Sequence, residues 1–197
     1  KDIFMKKNIL FLCLFFTGSL AYAQDTASLK KTMQQLYEAN YLMDFETIAQ
    51  LSYPNMLEKT GKEAFLEQTE QFYENETYRQ RYQLQSVPFQ FGPITKIGTQ
   101  WFCVVTVRIP KRYFFEAKLT EEKAAEKRTW LQQINQTKDV IFEPNRNSFN
   151  VKMIATFIAV YNESTNGNWR FFNFDFTEQQ TTFEQLFDES IIKQLKL

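Results

Sequence analysis

Few residues of this chain have both the type and the setting to do chemistry. The most suggestive is Asp175, the one carboxylate inside the aromatic run Trp169–Thr177. Burial penalises the charged form of a carboxyl group and raises its pKa toward the range useful to a general base. Glu116 is a lesser candidate, because Lys118 and the charges after it mark a segment leaving the core. The chain has no His, which removes the commonest general base. No HExxH, CxxC, P-loop, GxSxG or GxGxxG arrangement occurs, so zinc, nucleotide and serine-hydrolase chemistry lack support, and neither metal nor cofactor is expected.

Tyr37, Tyr41, Phe72 and Tyr73 fall where helical side chains offer rings and hydroxyls to a small apolar ligand. Phe157 and Phe174 supply a facing aromatic layer, and the same six residues equally describe a packed core. Arg108, Lys111, Arg112 and Lys118 form a small basic cluster that either meets an anion or makes a solvated rim, the ordinary fate of such side chains. Cys103, inside the apolar run Trp101–Val107, reads as a small buried hydrophobe rather than a nucleophile.

The elements that position these residues centre on a hairpin. Val151–Tyr161 is rich in Ile, Val, Phe and Thr, which suit a pleated surface, and Trp169–Thr177 answers it. Asn166-Gly167, in the polar loop Asn162–Asn168, tolerates the positive φ of a reversal. Placing Glu163 opposite Asn168 sets Phe157 against Phe174, Ala155 against Phe176 and Ala159 against Phe172. Asp175 then shares the other face with Thr156, Ile158, Val160, Phe171 and Asn173; a one-residue slip exchanges the two sets.

Helices precede the sheet. Asp25 or Thr26 caps a first one with the stripe Leu29, Met33, Leu36, Tyr37 and Asn40. Asp44 caps a second, with Met43 and Ile48 at staple positions, and Pro54 is expected to stop it. A brief strand over Asn55–Lys59 is expected before Thr60–Glu63, a capping-box pattern opening a third helix striped by Phe65, Leu66, Thr69, Phe72 and Tyr73. Arg81–Phe91 reads as a strand interrupted by Pro88, Gly92-Pro93 and Lys96–Thr99 as turns, and Gln100–Ile109 as a strong strand that Pro110 bends or divides from Tyr113–Ala117. Leu119–Gln136 is a half-exposed helical insertion capped by Thr120, with Trp130 marking a contact. Thr137–Asn150 reads as a loop with one short strand at Val140–Phe142, and Glu178–Leu197 as a closing helix with Asp188 as cap.

Residues 1–23 read as a secretory signal peptide: Lys6-Lys7, the apolar run Ile9–Phe16 and Ala21-Tyr22-Ala23 before a cut at Gln24, with Met5 the expected start. The run is too short to span a bilayer as a helix, so no membrane attachment is expected after cleavage, and a bacterial periplasmic or secreted location follows. Residues 24–197 then form a single domain with a core of useful size. The full chain carries 23 basic and 23 acidic residues; losing Lys1, Asp2, Lys6 and Lys7 leaves a net charge near −2. Without a basic stripe, a nucleic-acid partner is excluded. Cys103 is the one cysteine beyond the cut, so no intramolecular disulfide forms.

The fold class that emerges is α+β, with N-terminal helices packed on a strongly curved antiparallel sheet, a helical insertion and a C-terminal helix. Tyr37–Phe45, then Pro54 and Thr60-Gly61-Lys62, and the closing Gly167-Asn168-Trp169-Arg170-Phe171-Phe172 carry a resemblance to the NTF2-like (SnoaL-like) cone-fold superfamily. It covers roughly the whole chain after residue 23, with Leu119–Asn150 longer than the resemblance implies. The resemblance implies helices over the concave side of a bent sheet and a pocket at its open end. Its members include isomerases, dehydratases, ligand binders and protein-association modules, so the fold does not choose among them. The missing catalytic set favours an exported, non-catalytic module that binds a small apolar ligand or a protein. The alternatives are a lyase or isomerase with Asp175 as base, and a homodimer through the aromatic outer sheet face or Trp130.

Overall fold

The computed structural model describes residues 26–197, and the signal-peptide reading of residues 1–23 lies outside them. A helix over residues 26–42 (α1) leads, with Leu29, Met33, Leu36, Tyr37 and Asn40 buried along the expected stripe. Asp44 caps Phe45–Leu51 (α2), its carboxylate accepting from the Thr47 N–H at 3.0 Å. Pro54 does not merely end this helix. It occupies the first turn of another, Pro54–Thr60 (α3), where its fixed φ is an advantage and its missing N–H costs nothing. The strand expected over Asn55–Lys59 is therefore helix, and the strand-like pairing falls to Ser52, which bridges Phe171 in parallel. Gly61, at φ 84°, separates α3 from Lys62–Tyr73 (α4). Thr60 is the last residue of α3, so the capping box expected there does not form.

The antiparallel sheet has seven strands and does not close into a barrel. Two long strands, Gln100–Phe114 (β4) and Ser148–Tyr161 (β6), pair along their length from Trp101↔Tyr161 to Phe114↔Ser148. Arg79–Tyr82 (β1), Phe89–Phe91 (β2) and Thr95–Ile97 (β3) line the free side of β4. The expected single strand Arg81–Phe91 is thus two, with Pro88 just before the second. Pro110 lies within β4 without dividing it. Val140–Glu143 (β5) and Arg170–Asn173 (β7) pair with the far side of β6, at opposite ends of it.

The register of β6 with β7 is one residue from the expected one: Phe157 faces Asn173, Ile158 faces Phe172 and Ala159 faces Phe171. The cause lies in the loop. Asn162 and Thr165 cap one another around a 3₁₀ turn, Glu163–Thr165, and Asn166 and Gly167 then both turn left-handed, at φ 51° and 67°. That closure leaves an odd number of residues between the paired Val160 and Arg170, so the two faces exchange.

On the inner face, Cys103, Val105, Val107 and Ile109 lie beside Ala155, Phe157 and Ala159, all buried beneath α1 and α4. Thr120 caps Glu121–Ile134 (α5), which covers the other end of that face, with Ala124 and Leu131 on Tyr113, Phe149 and Val151. The expected closing helix is two, Thr177–Leu186 (α6) and Glu189–Leu195 (α7). Phe187 between them is extended and puts its ring 5.4 Å from Phe102 and 4.6 Å from Phe183, closing one end of the outer face. The middle of that face is open, and Ile154 is 69% exposed there.

Candidate functional site

The slipped register decides where the chemistry sits. Asp175 lies beyond the last pair of β7, in step with Ala155 and not with Thr156, and its charge acts on Lys111, Tyr73, Tyr82 and Tyr113 of the interior. Its Oδ1 accepts from the Thr156 N–H at 3.4 Å, while its Oδ2 is buried with no partner among the described residues. Burial raises the Asp175 pKa above the usual carboxylate range, against the lowering pull of Lys111 and of the Thr156 N–H.

Lys111 is the residue that sequence reasoning misplaced. Of the expected basic cluster, Arg108 is at the surface, paired with Asp139 at 2.7 Å, and Lys118 is exposed. Arg112 points to the outer face, where it meets Asn150 and Glu143. Lys111 instead continues the inner row of Val105, Val107 and Ile109 and is 1% exposed. The alternation along β4 carried that signal. Its ammonium stands 5.0 Å from the centre of the Phe72 ring and 5.4 Å from that of Tyr82, a double cation–π contact. Burial lowers its pKa, and Asp175 partly offsets this.

The remaining candidates are dispersed. Tyr37 is buried and donates its hydroxyl to the Gln83 carbonyl at 3.1 Å. Tyr73 donates to Asn40 Oδ1 at 2.6 Å, and burial holds its hydroxyl far above its ordinary pKa. The neighbouring Tyr82 hydroxyl is electrostatically coupled to it without a hydrogen bond of good geometry. Phe72 stacks on Phe176 at 4.2 Å, and Tyr41 is half-buried at the margin of the core. Phe157 is on the inner face. Phe174 is not its partner: its N–H reaches the Thr156 carbonyl and its ring packs on Phe183 at 5.3 Å. Glu116 is exposed.

Between α1, α4 and the sheet, packing leaves about 20 Å³, lined by Asn40, Ser52, Thr69 and Phe157 among others, space of water size. A far larger cleft, about 730 Å³, opens at the sheet edge. β5 pairs with β6 as far as Val151 and β7 pairs with it only from Phe157, so residues 152–156 have no strand beside them. Both ends of this gap are tied off. Lys152 donates its N–H to Asp139 and accepts from Thr137 Oγ1, and Thr156 is held by Phe174 and Asp175. Strand alternation then points the N–H and C=O of Ile154 into the cleft, where they have no partner among the described residues. Asp175, Gln180 and Thr177 form one wall, and Ile134, the last residue of α5, with Gln136 and Thr137 after it, forms the other.

Among the described residues no trio of Cys, Asp or Glu gathers as metal ligands, and no helix is long and apolar enough to cross a membrane. Comparison with protein-family models and with curated proteins gives no match for this chain.

Proposed function

We propose that the chain is an exported, non-catalytic binding module of the NTF2-like cone kind, and that it meets its ligand in the sheet-edge cleft. The single observation that carries this reading is the contrast in space. The helix-covered interior retains about 20 Å³, whereas the edge cleft offers about 730 Å³, within the range of small-molecule sites. It also reaches Asp175 and the unpaired main chain of Ile154. The helices packed on a large antiparallel sheet, with Ser52 bridged to Phe171, are compatible with the cone resemblance. The test is an amide chemical-shift screen with a diverse fragment library. Fragments that move Ile154, Thr156 and Asp175 support the reading; a library that moves only residues around Phe157 and Asn40, or none, removes it.

A second reading has one specific observation behind it. Asp175 has a raised pKa and lies within electrostatic reach of Lys111 and of the unpartnered Tyr82 hydroxyl, a carboxylate base with a cation and a phenol near it, groups of the kind a lyase or isomerase uses. Hydrogen–deuterium exchange at carbon, followed across a panel of ketones and β-hydroxy carbonyl compounds, would show it. Exchange that persists in Asp175→Asn removes this role.

A further inference from the structure

We propose that the edge cleft captures the free amino end of a short peptide, which adds to β6 opposite Ile154 as a two- or three-residue antiparallel strand. The inference rests on the reading of the cleft as the binding site and names its ligand class.

The main chain sets the length. Along residues 152–156 only Ile154 offers an unpaired N–H and C=O, because Lys152 and Thr156 already have partners on that edge. From Lys152 to Thr156 the strand spans about 13 Å, room for a di- or tripeptide and too little for a longer added strand. One guest residue can exchange both main-chain bonds with Ile154, which is the closely spaced pair of an antiparallel ladder.

The charges set the direction. β6 runs from Lys152 toward Thr156, so an antiparallel guest places its amino terminus at the Thr156 end and its carboxylate toward Lys152. Asp175 stands at the first end: its Oδ1 takes one long bond and keeps acceptor capacity, and its Oδ2, buried behind it, takes none among the described residues. At the second end Lys152 makes no ion pair among the described residues, whereas Arg108 is held by Asp139. A zwitterionic peptide therefore finds opposite charges at both of its ends in this orientation, and like charges in the reverse one. The Phe174–Asp175 segment closes the amino side, so nothing can precede the first residue. The guest side chain opposite Ile154 emerges on the same face as that exposed side chain, where an apolar group is favoured.

Titration with a set of free tripeptides carrying an apolar central residue, beside their N-acetylated forms, tests the proposal. Binding of the free peptides, slowed amide exchange at Ile154, and about tenfold weakening on acetylation or in Asp175→Asn are expected from loss of a charge-assisted bond. Lys152→Gln, at a surface position that leaves the fold intact, is expected to weaken free tripeptides but not their C-terminal amides. Acetylated peptides that bind as well as free ones, or binding that leaves Ile154 exchange unchanged, overturn it. Should fragments of other classes move the cleft while no free peptide does, the peptide proposal falls and the edge-cleft reading stands. Should neither move it, both fall.

Discussion

The hydroxyl of Tyr37 takes the hydrogen-bonding place that Pro110 leaves empty. Gln83 donates its N–H to the Pro110 carbonyl at 2.9 Å, so residue 110 is the one that would return an N–H to the Gln83 carbonyl. Proline has none, and that carbonyl is met by Tyr37 at 3.1 Å instead. This is how a central strand carries proline without an orphaned acceptor. Tyr37→Phe is expected to cost about 1 kcal/mol, the usual penalty for one unsatisfied acceptor. In a Pro110→Ala background, where the main chain regains its donor, the same change is expected to cost clearly less. Urea denaturation of the four-member cycle checks this, and additive costs would refute the substitution of one donor for the other.

The Asp175 carboxyl gives a signed pH dependence. Its folded pKa lies above the ordinary 3.8, so as pH rises from that value through the folded pKa the native state retains a proton that the unfolded chain has lost. Stability falls over that window. Relative to Asp175→Asn, the natural chain is expected to be at its most stable in acid, to lose ground as pH rises through that window and to level off above it. Chemical denaturation at a series of pH values reads the difference, and a gap that widens in favour of the natural chain contradicts the sign.

Lys111 acts in the opposite sense in alkali. Burial lowers its pKa below 10.5, so between its folded value and 10.5 the unfolded chain holds the extra proton and stability rises with pH. Lys111→Met, similar in length and without the charge, is expected to remove that rise, and combined with Asp175→Asn, so that neither partner is left charged and buried alone, to match or exceed the natural stability near neutrality. A variant that unfolds near neutrality would show that the Phe72 and Tyr82 contacts outweigh the cost of the buried charge.

Tyr73 and Asn40 tie α4 to α1 through one buried bond of 2.6 Å. Tyr73→Phe leaves Asn40 Oδ1 without its donor and is expected to cost about 1–3 kcal/mol. Asn40→Leu with Tyr73→Phe, which removes both polar groups, is expected to recover part of that loss. Thermal unfolding of the three variants decides the point, and a double variant worse than the sum of the singles goes against it.

Cys103 is fully buried, and burial pushes its thiol up to about 11. It is expected to resist thiol reagents in the native protein at pH 8 and to react at once in denaturant. Rapid labelling without denaturant would show that the interior of β4 opens readily.

The architecture was largely legible because periodicity reports burial. The stripes of α1 and α4, the Asp44 and Thr120 caps and the two long strands follow from residue spacing alone. What escaped depends on tertiary context. Pro54 is as good at opening a helix as at stopping one, and only the neighbouring Ser52–Phe171 bridge decides between them. The hairpin register turned on two consecutive left-handed residues in the loop, a choice that Asn-Gly permits without requiring. That slip moved Asp175 from the Thr156 face to the interior. Lys111 was grouped with its charged neighbours although its parity along β4 set it with Val107 and Ile109. The edge cleft left no signal, because a gap between strands is a property of where β5 and β7 stop.

The bridge between Ser52 and Phe171, reinforced by the Tyr53 N–H on the Phe171 carbonyl at 3.1 Å, joins the early helices to the last strand. Contacts so far apart along the chain form only after a large loop has been closed, and they slow folding. A nascent chain that has not yet delivered Phe171 cannot close this joint. That joint therefore stays open until the last strand has been made, and α2 and α3 meet their partner in the sheet late.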